Sequence, residues 1–132
     1  MFRKYLPYIL LIAAACLFYW IKNNQGNKHT PARAEIEAYP QFNRDLSTLK
    51  YSKHAKCRMD CRHIDESEVK EILKNGSLKY ERIEKNDKGY TYPLEGYTHD
   101  HQHVRIVFAP HEDTLVVVTV IDLGQEWECN CN

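Results

Sequence analysis

A run of seventeen uncharged residues, Tyr5–Ile21, constrains the fold more than any other feature of this chain. Arg3 and Lys4 precede the run, and Lys22 follows it. A helix of this length spans roughly 26 Å, which is at the short end for a bilayer core but sufficient when the flanking side chains reach the interface. Residues 1–22 are therefore predicted to be a membrane anchor that contains one transmembrane helix.

The charges beside the anchor predict its orientation. Arg3 and Lys4 favour the cytoplasmic side for the N-terminus, so the rest of a single-pass protein is expected outside the cytoplasm, in the periplasm. Cys16 offers an alternative, because residues 13–15 are all alanine and match the small residues of a lipoprotein processing site. Residues 17–21 stay apolar after Cys16, however, and this favours a retained anchor over cleavage or lipidation.

Composition separates a tether from a folded domain. Residues 23–46 are rich in Asn, Gln and Lys and are predicted to be a polar linker, and residues 47–132 are predicted to form a small α+β domain with a cysteine-bearing C-terminal tail. Basic and acidic residues number 18 each, so the formal net charge is zero. Proteins that grip nucleic-acid backbones carry a net basic domain, so the expected partners are the membrane and another protein rather than RNA.

Helix signals open the folded part. Ser52 can cap a helix over residues 53–63, and the residues Asp65-Glu66-Ser67-Glu68 form a capping box for a second helix that ends at residues 75–76, Asn-Gly. The hydrophobic period then changes to two, which predicts strands near residues 78–83, 90–98, 103–109 and 115–123. The predicted fold is α+β, with a transmembrane helix followed by two short helices packed on a four-stranded antiparallel meander.

Four cysteines carry the clearest chemical pattern. Cys57 and Cys61 are four apart on the first predicted helix of the domain, and Cys129 and Cys131 are two apart in the tail. Both spacings correspond to about 6 to 7 Å, so the tail can lie against the helix. The pattern fits two disulfides, whose order the sequence leaves open, or a four-thiolate zinc site. An oxidising exterior favours disulfides, and either arrangement would be structural.

A family resemblance is carried by the segment at residues 54–64, which fits the pattern His-Ala-x-x-Arg-Met-x-x-Arg-x-Ile. That pattern is similar to the opening of a bacterial domain of unknown function, family 4258, and the likeness continues through Glu68-Val69 and the late Val-Val-Thr-Val strand. The resemblance implies a fold that looks similar to RelE-type and BrnT-type ribonuclease toxins. A shared fold does not by itself imply their activity.

Three side chains on the same helix form a candidate catalytic set. His54, Arg58 and Arg62 are four apart and so share one helical face, where an imidazole and two guanidiniums could move a proton and stabilise a phosphate. In the alternative interpretation, His54 forms a hydrogen bond near the helix start, and the arginines pair with glutamates between residues 66 and 71. The alternative is favoured, because a domain outside the cytoplasm would meet little RNA.

Three functions follow from these patterns. The leading hypothesis is a non-enzymatic, membrane-anchored module, stapled by its cysteines, that binds another protein or stabilises an envelope assembly. The second is a RelE-like nuclease or other hydrolase built on His54, Arg58 and Arg62. The third is a thiolate metal-binding protein that holds zinc through Cys57, Cys61, Cys129 and Cys131.

Overall fold

The computed structural model describes residues 5–24, 39–45 and 48–131. The chain divides into two compact units, residues 1–32 and residues 33–132. Much of the predicted linker, residues 25–38 and 46, lies outside the described residues.

The described residues of the first unit form the helix α1 (Leu6–Asn24). Its large apolar side chains are exposed on every side, with exposed fractions from 44% at Ile21 to 73% at Tyr19. In the described part of the chain, no helix combines the length and apolar character that crossing a bilayer requires. The transmembrane span predicted at residues 5–21 is therefore not supported, although the segment is helical as expected.

The described residues of the second unit form two helices, a 3₁₀ turn at Tyr80–Arg82 and the strands of the sheet. In chain order the elements are β1 (Thr48–Tyr51), α2 (Lys53–Arg62), α3 (Glu66–Asn75), β2 (Ser77–Leu78), β3 (Glu84–Asn86), β4 (Gly89–Tyr97), β5 (His103–His111) and β6 (Thr114–Asp122).

The predicted capping signals set the helix boundaries. The Ser52 hydroxyl accepts a hydrogen bond from the Ala55 amide at 3.0 Å, which begins α2. The Asp65 carboxylate accepts from the Glu68 amide at 3.0 Å, and the Glu68 carboxylate accepts from the Asp65 amide at 2.8 Å, so the capping box is confirmed. His63 ends α2 in the left-handed conformation, with φ of 54°.

The sheet differs from the predicted meander. Its order is β1-β6-β5-β4-β2, with β3 also paired to β4, so the described residues form a mixed sheet of six strands rather than an antiparallel sheet of four. Strand β1 pairs with β6 in parallel, which no local pattern in four residues could indicate. The strand predicted at residues 78–83 is interrupted by the 3₁₀ turn, which leaves the short strands β2 and β3 on either side.

A bulge explains why β6 lacks alternation in its sequence. Phe108 lies opposite Val117, whereas Val107 lies opposite Thr119, so Val118 is an extra residue between two regular stretches. Inward-facing positions are therefore two apart before the bulge, at Leu115 and Val117, and three apart across it, at Val117 and Val120. The apolar residues of β6 follow one another without alternation because the bulge shifts which positions face the core.

The core lies between the two domain helices and one face of the sheet, as predicted. The fully buried large side chains of that core come from α3 and from β4, β5 and β6: Val69, Ile72, Leu94, Val104, Ile106, Phe108, Leu115, Val117 and Val120. Helix α2 adds Ala55 and Met59, and the loop between the helices adds Ile64.

Gly76 and Gly96 let the end of α3 approach β4. A Cβ atom on Gly76 would lie 2.5 Å from the Ile72 carbonyl oxygen and 3.3 Å from the Glu95 carbonyl oxygen. A Cβ atom on Gly96 would lie 3.0 Å from the Ile72 side chain. The φ of Gly76 is −66°, so close approach, rather than a left-handed turn, requires glycine here.

We expect Gly76→Ala to lower the free energy of unfolding by about 1–3 kcal/mol, because the added methyl group must displace backbone atoms. Urea unfolding of the variant and the wild type measures this difference. Gly124→Ala is the control, since its Cβ would meet only the Asp122 carboxylate, at 3.5 Å. Equal effects of the two substitutions would contradict the packing explanation.

Candidate functional site

The candidate site is the side of α2 that faces the C-terminal tail. Helix α2 turns Ala55 and Met59 into the core. Five side chains of chemical interest lie three or four residues apart, away from those two: His54, Cys57, Arg58, Cys61 and Arg62. The predicted catalytic residues and both helical cysteines therefore occupy one surface.

Two disulfides fasten the tail to this surface. Cys57 is joined to Cys131 with a Cα–Cα distance of 5.7 Å, and Cys61 is joined to Cys129 with a Cα–Cα distance of 5.9 Å. The tail thus runs antiparallel to α2. Because the hydrogen bond from Arg62 to the Val120 carbonyl oxygen places β6 near the end of α2, the first cysteine of the tail meets the second cysteine of the helix.

Asp122 fixes the start of the tail. Its carboxylate accepts from the Trp127 indole at 2.9 Å, from the Gly124 amide at 2.9 Å and from the Gln102 side chain at 3.4 Å. The Trp127 ring also meets the His63 ring edge to face, with the ring centroids 5.4 Å apart. Sequence reasoning missed this role of Asp122, although Asp followed two residues later by Gly is a common turn signal.

Two of the three predicted catalytic side chains, those of His54 and Arg62, donate to backbone carbonyls. His54 Nδ1 donates to the Cys131 carbonyl oxygen at 3.0 Å, and the Arg62 guanidinium donates to the Val120 carbonyl oxygen. These contacts agree with the structural interpretation of His54. The expected pairing of the arginines with glutamates is absent among the described residues, where Glu68 caps α3 and Glu71 binds His99. The catalytic role of the set stays a prediction.

Helix α2 also caps an open sheet edge. Strand β1 pairs with β6 only as far as Val117. Beyond that point the Ser52 hydroxyl donates to the Val118 carbonyl oxygen at 2.9 Å, and Arg62 donates to the Val120 carbonyl oxygen. Buried carbonyl groups need such partners, so these two side chains replace the missing strand.

The same surface is rich in positive charge. Burial, followed by the nearby Arg58 charge, lowers the pKa of the Arg62 guanidinium, and the Asp122 carboxylate opposes that shift. The Nε atoms of both arginines are buried and have no hydrogen-bond partner in the described part of the chain.

A second polar cluster joins α3 to the turn between β4 and β5. Glu68 is only 3% exposed, and its Oε1 atom has no partner among the described residues. Burial raises the pKa of Glu68, although its hydrogen bond from Asp65 acts in the opposite direction. A hydrogen bond from the Thr98 hydroxyl lowers the pKa of Asp100, whose charge adds to the penalty on ionised Glu68.

Glu68→Gln should weaken the pH dependence of stability. Because the pKa of Glu68 is raised in the folded state, ionisation of wild-type Glu68 lowers stability as pH rises above the ordinary value of about 4.3. Glutamine keeps an acceptor for the Asp65 amide and does not ionise. The free energy of unfolding of the variant should therefore increase relative to that of the wild type as pH rises. Urea unfolding from acid to neutral pH measures this. Glu66→Gln, at an exposed position, is the control, and the same pH trend in both variants would refute the prediction.

The two disulfides should contribute to stability non-additively. Each closes a loop of about 70 residues, for sequence separations of 74 and 68, but once one is closed the other spans only a short ring. We expect replacement of either cysteine pair by serine to cost about 2–3 kcal/mol and replacement of both to cost about 7 kcal/mol. Denaturant unfolding of the three variants tests this, and strict additivity would contradict it.

Metal binding is not visible in this arrangement. In residues 5–24, 39–45 and 48–131, no group of three or more His, Cys, Asp or Glu side chains is placed to hold a metal ion. The predicted zinc site on Cys57, Cys61, Cys129 and Cys131 stays a prediction for the reduced protein.

Comparison with known proteins identifies a family. No curated protein and no solved structure matches the chain, so the predicted likeness to RelE-type and BrnT-type toxins stays a prediction. The sequence model of DUF4258, described as a domain of unknown function, matches residues 51–122, which is more than half of the chain. The match covers both domain helices and the strands β2 to β6. The chain therefore belongs to the DUF4258 family, as the segment at residues 54–64 predicted.

Proposed function

We propose that this chain is a non-enzymatic, membrane-attached module that presents a disulfide-stapled α+β domain outside the cytoplasm and binds another protein there. One observation carries the proposal: two disulfides fasten the tail along α2. A domain of this size has a small core, and cross-links of this kind are how small exported domains gain stability.

The disulfides support a location of the domain outside the cytoplasm. Cytosolic reductants keep most thiols reduced, whereas paired cysteines persist in the periplasm and in other oxidising compartments. Cys57 and Cys61 are both paired, and the free cysteine among the described residues is Cys16 of α1. The pairing thus agrees with the orientation that Arg3 and Lys4 predict.

The apolar surface of α1 supports attachment to a membrane. Leu11, Leu17, Phe18 and Trp20 are each more than half exposed within their unit. Exposed apolar surface around a whole helix is unfavourable in water and is stabilised by lipid. We therefore propose that α1 attaches the protein to the membrane.

The contacts on α2 support a non-enzymatic role. A general base must reach the substrate proton, whereas His54 donates to the tail and Arg62 is held against β6. The tail fastened to Cys57 and Cys61 lies along the same side of the helix. These contacts give His54 and Arg62 a structural role, which is to hold the tail and β6 against α2.

The experiment follows the full-length protein in cell fractions. We expect it to remain with the membrane pellet after alkaline carbonate washing, and Leu11→Lys/Ile12→Lys to release it, because each central lysine disfavours insertion by about 3 kcal/mol. Tyr97→Lys is the matched control, since Tyr97 is an exposed aromatic residue of the domain. Release of the wild type would overturn membrane attachment.

Protease and alkylation measurements then locate the domain. Protease added to spheroplasts should degrade residues 48–131 if the domain lies outside the cytoplasm. Denaturing mass spectrometry after alkylation should find Cys57, Cys61, Cys129 and Cys131 unmodified until a reductant is added. Protection from protease together with free thiols would place the domain in the cytoplasm and overturn the proposal.

A further inference from the structure

Arg58 and Arg62 form a cationic pair with few neutralising contacts in the described residues. Each has a buried Nε that lacks a hydrogen-bond partner there. The nearby carboxylate, Asp122, already accepts from Gly124, Gln102 and Trp127. An unsatisfied buried donor on a charged group is unfavourable, and an anion would satisfy it.

We propose that His54, Arg58 and Arg62 form a binding site for a phosphate-type oxyanion and that the tail covers this site while its disulfides are closed. The guanidinium is a planar fork of N–H donors that matches the oxygens of a phosphate group. The two arginines lie one helical turn apart, so both can contact one anion. This inference does not depend on membrane attachment.

The tail blocks the site in two ways. The Cys131 carbonyl oxygen accepts the hydrogen bond that His54 would give to an anion. Along the extended tail, Cys129 and Cys131 point to α2, whereas Glu126 and Glu128 are exposed. The closed tail therefore occupies one donor and presents two carboxylates to an approaching anion.

Opening the tail requires a dithiol reductant. One thiolate of the dithiol attacks a sulfur of the Cys61–Cys129 or Cys57–Cys131 bond and releases the other cysteine as a thiolate. The second sulfur of the dithiol resolves the mixed disulfide. Each protein disulfide gains two electrons and two protons to give two thiols, and the dithiol becomes a disulfide.

The test titrates inorganic phosphate into the full-length protein and follows the NMR signal of the Arg58 Nε–H group. We expect an apparent affinity at least about tenfold higher after dithiol reduction than in the oxidised protein, because uncovering restores at least one charge-assisted hydrogen bond. Cys57→Ser/Cys131→Ser frees only the end of the tail and retains one bridge. It should show the same gain without reductant if the uncovered site is intact.

Two substitutions on α2 locate the site. Arg58→Gln, followed through the Nε–H signal of Arg62, should abolish the gain, whereas Lys56→Gln, which removes the same charge from another side of the helix, should leave it. Circular dichroism and thermal unfolding confirm that each variant is folded before titration. Equal phosphate affinity in the oxidised, reduced and single-bridge proteins, or equal loss in both α2 variants, would overturn the proposal.

The source of the phosphate group is tested in bilayer discs. The single-bridge variant is placed in phosphatidylcholine discs with or without phosphatidylglycerol, and the Arg58 signal is followed as inorganic phosphate is added. A shifted signal in phosphatidylglycerol discs, reversed by phosphate, identifies a lipid headgroup as a ligand. A response to inorganic phosphate alone identifies a free anion. No response in either arm would overturn the site.

Discussion

The attachment of the C-terminal tail to α2 is the constraint on which the domain depends. The Cys57–Cys131 bond closes a loop with a sequence separation of 74, and most of the domain lies inside it. Closing so large a loop removes much of the conformational freedom of the unfolded chain. The same bond holds an extended tail that pairs with no strand of the sheet in the described residues. Stability and the shape of the candidate site therefore come from one feature.

Helix α2 serves three neighbours at once. Ala55 and Met59 pack in the core, Arg62 satisfies an open carbonyl on β6, and His54 holds the end of the tail. Because a helix has 3.6 residues per turn, ten residues are enough to present a separate side to each neighbour. Positive charge at such a junction can be structural and still leave donors unused, since the Nε atoms of Arg58 and Arg62 have no hydrogen-bond partner in the part of the chain that the structure describes.

Sequence reasoning succeeded where the determinants are local. The capping box at Asp65 and Glu68 needs only four residues, so its sequence pattern predicts it directly. Sequence reasoning failed where the structure depends on contacts between segments that are distant in the chain. Strand β1 exists because β6 offers an edge to it, and the bulge at Val118 depends on the register with β5. The open edge that Ser52 and Arg62 cap follows from both, so the structural role of Arg62 was not predictable from its spacing.

The sequence by itself determined a helix over the uncharged N-terminal run, an α+β domain, its membership of the DUF4258 family and the four cysteines that could meet. Composition and short-range periodicity encode these properties, because neighbouring residues suffice to produce them. Only the tertiary structure decided which cysteine pairs with which and which donors of α2 stay free. Those outcomes depend on the direction in which the chain leaves β6 and on contacts between residues far apart in sequence, and no local pattern records either.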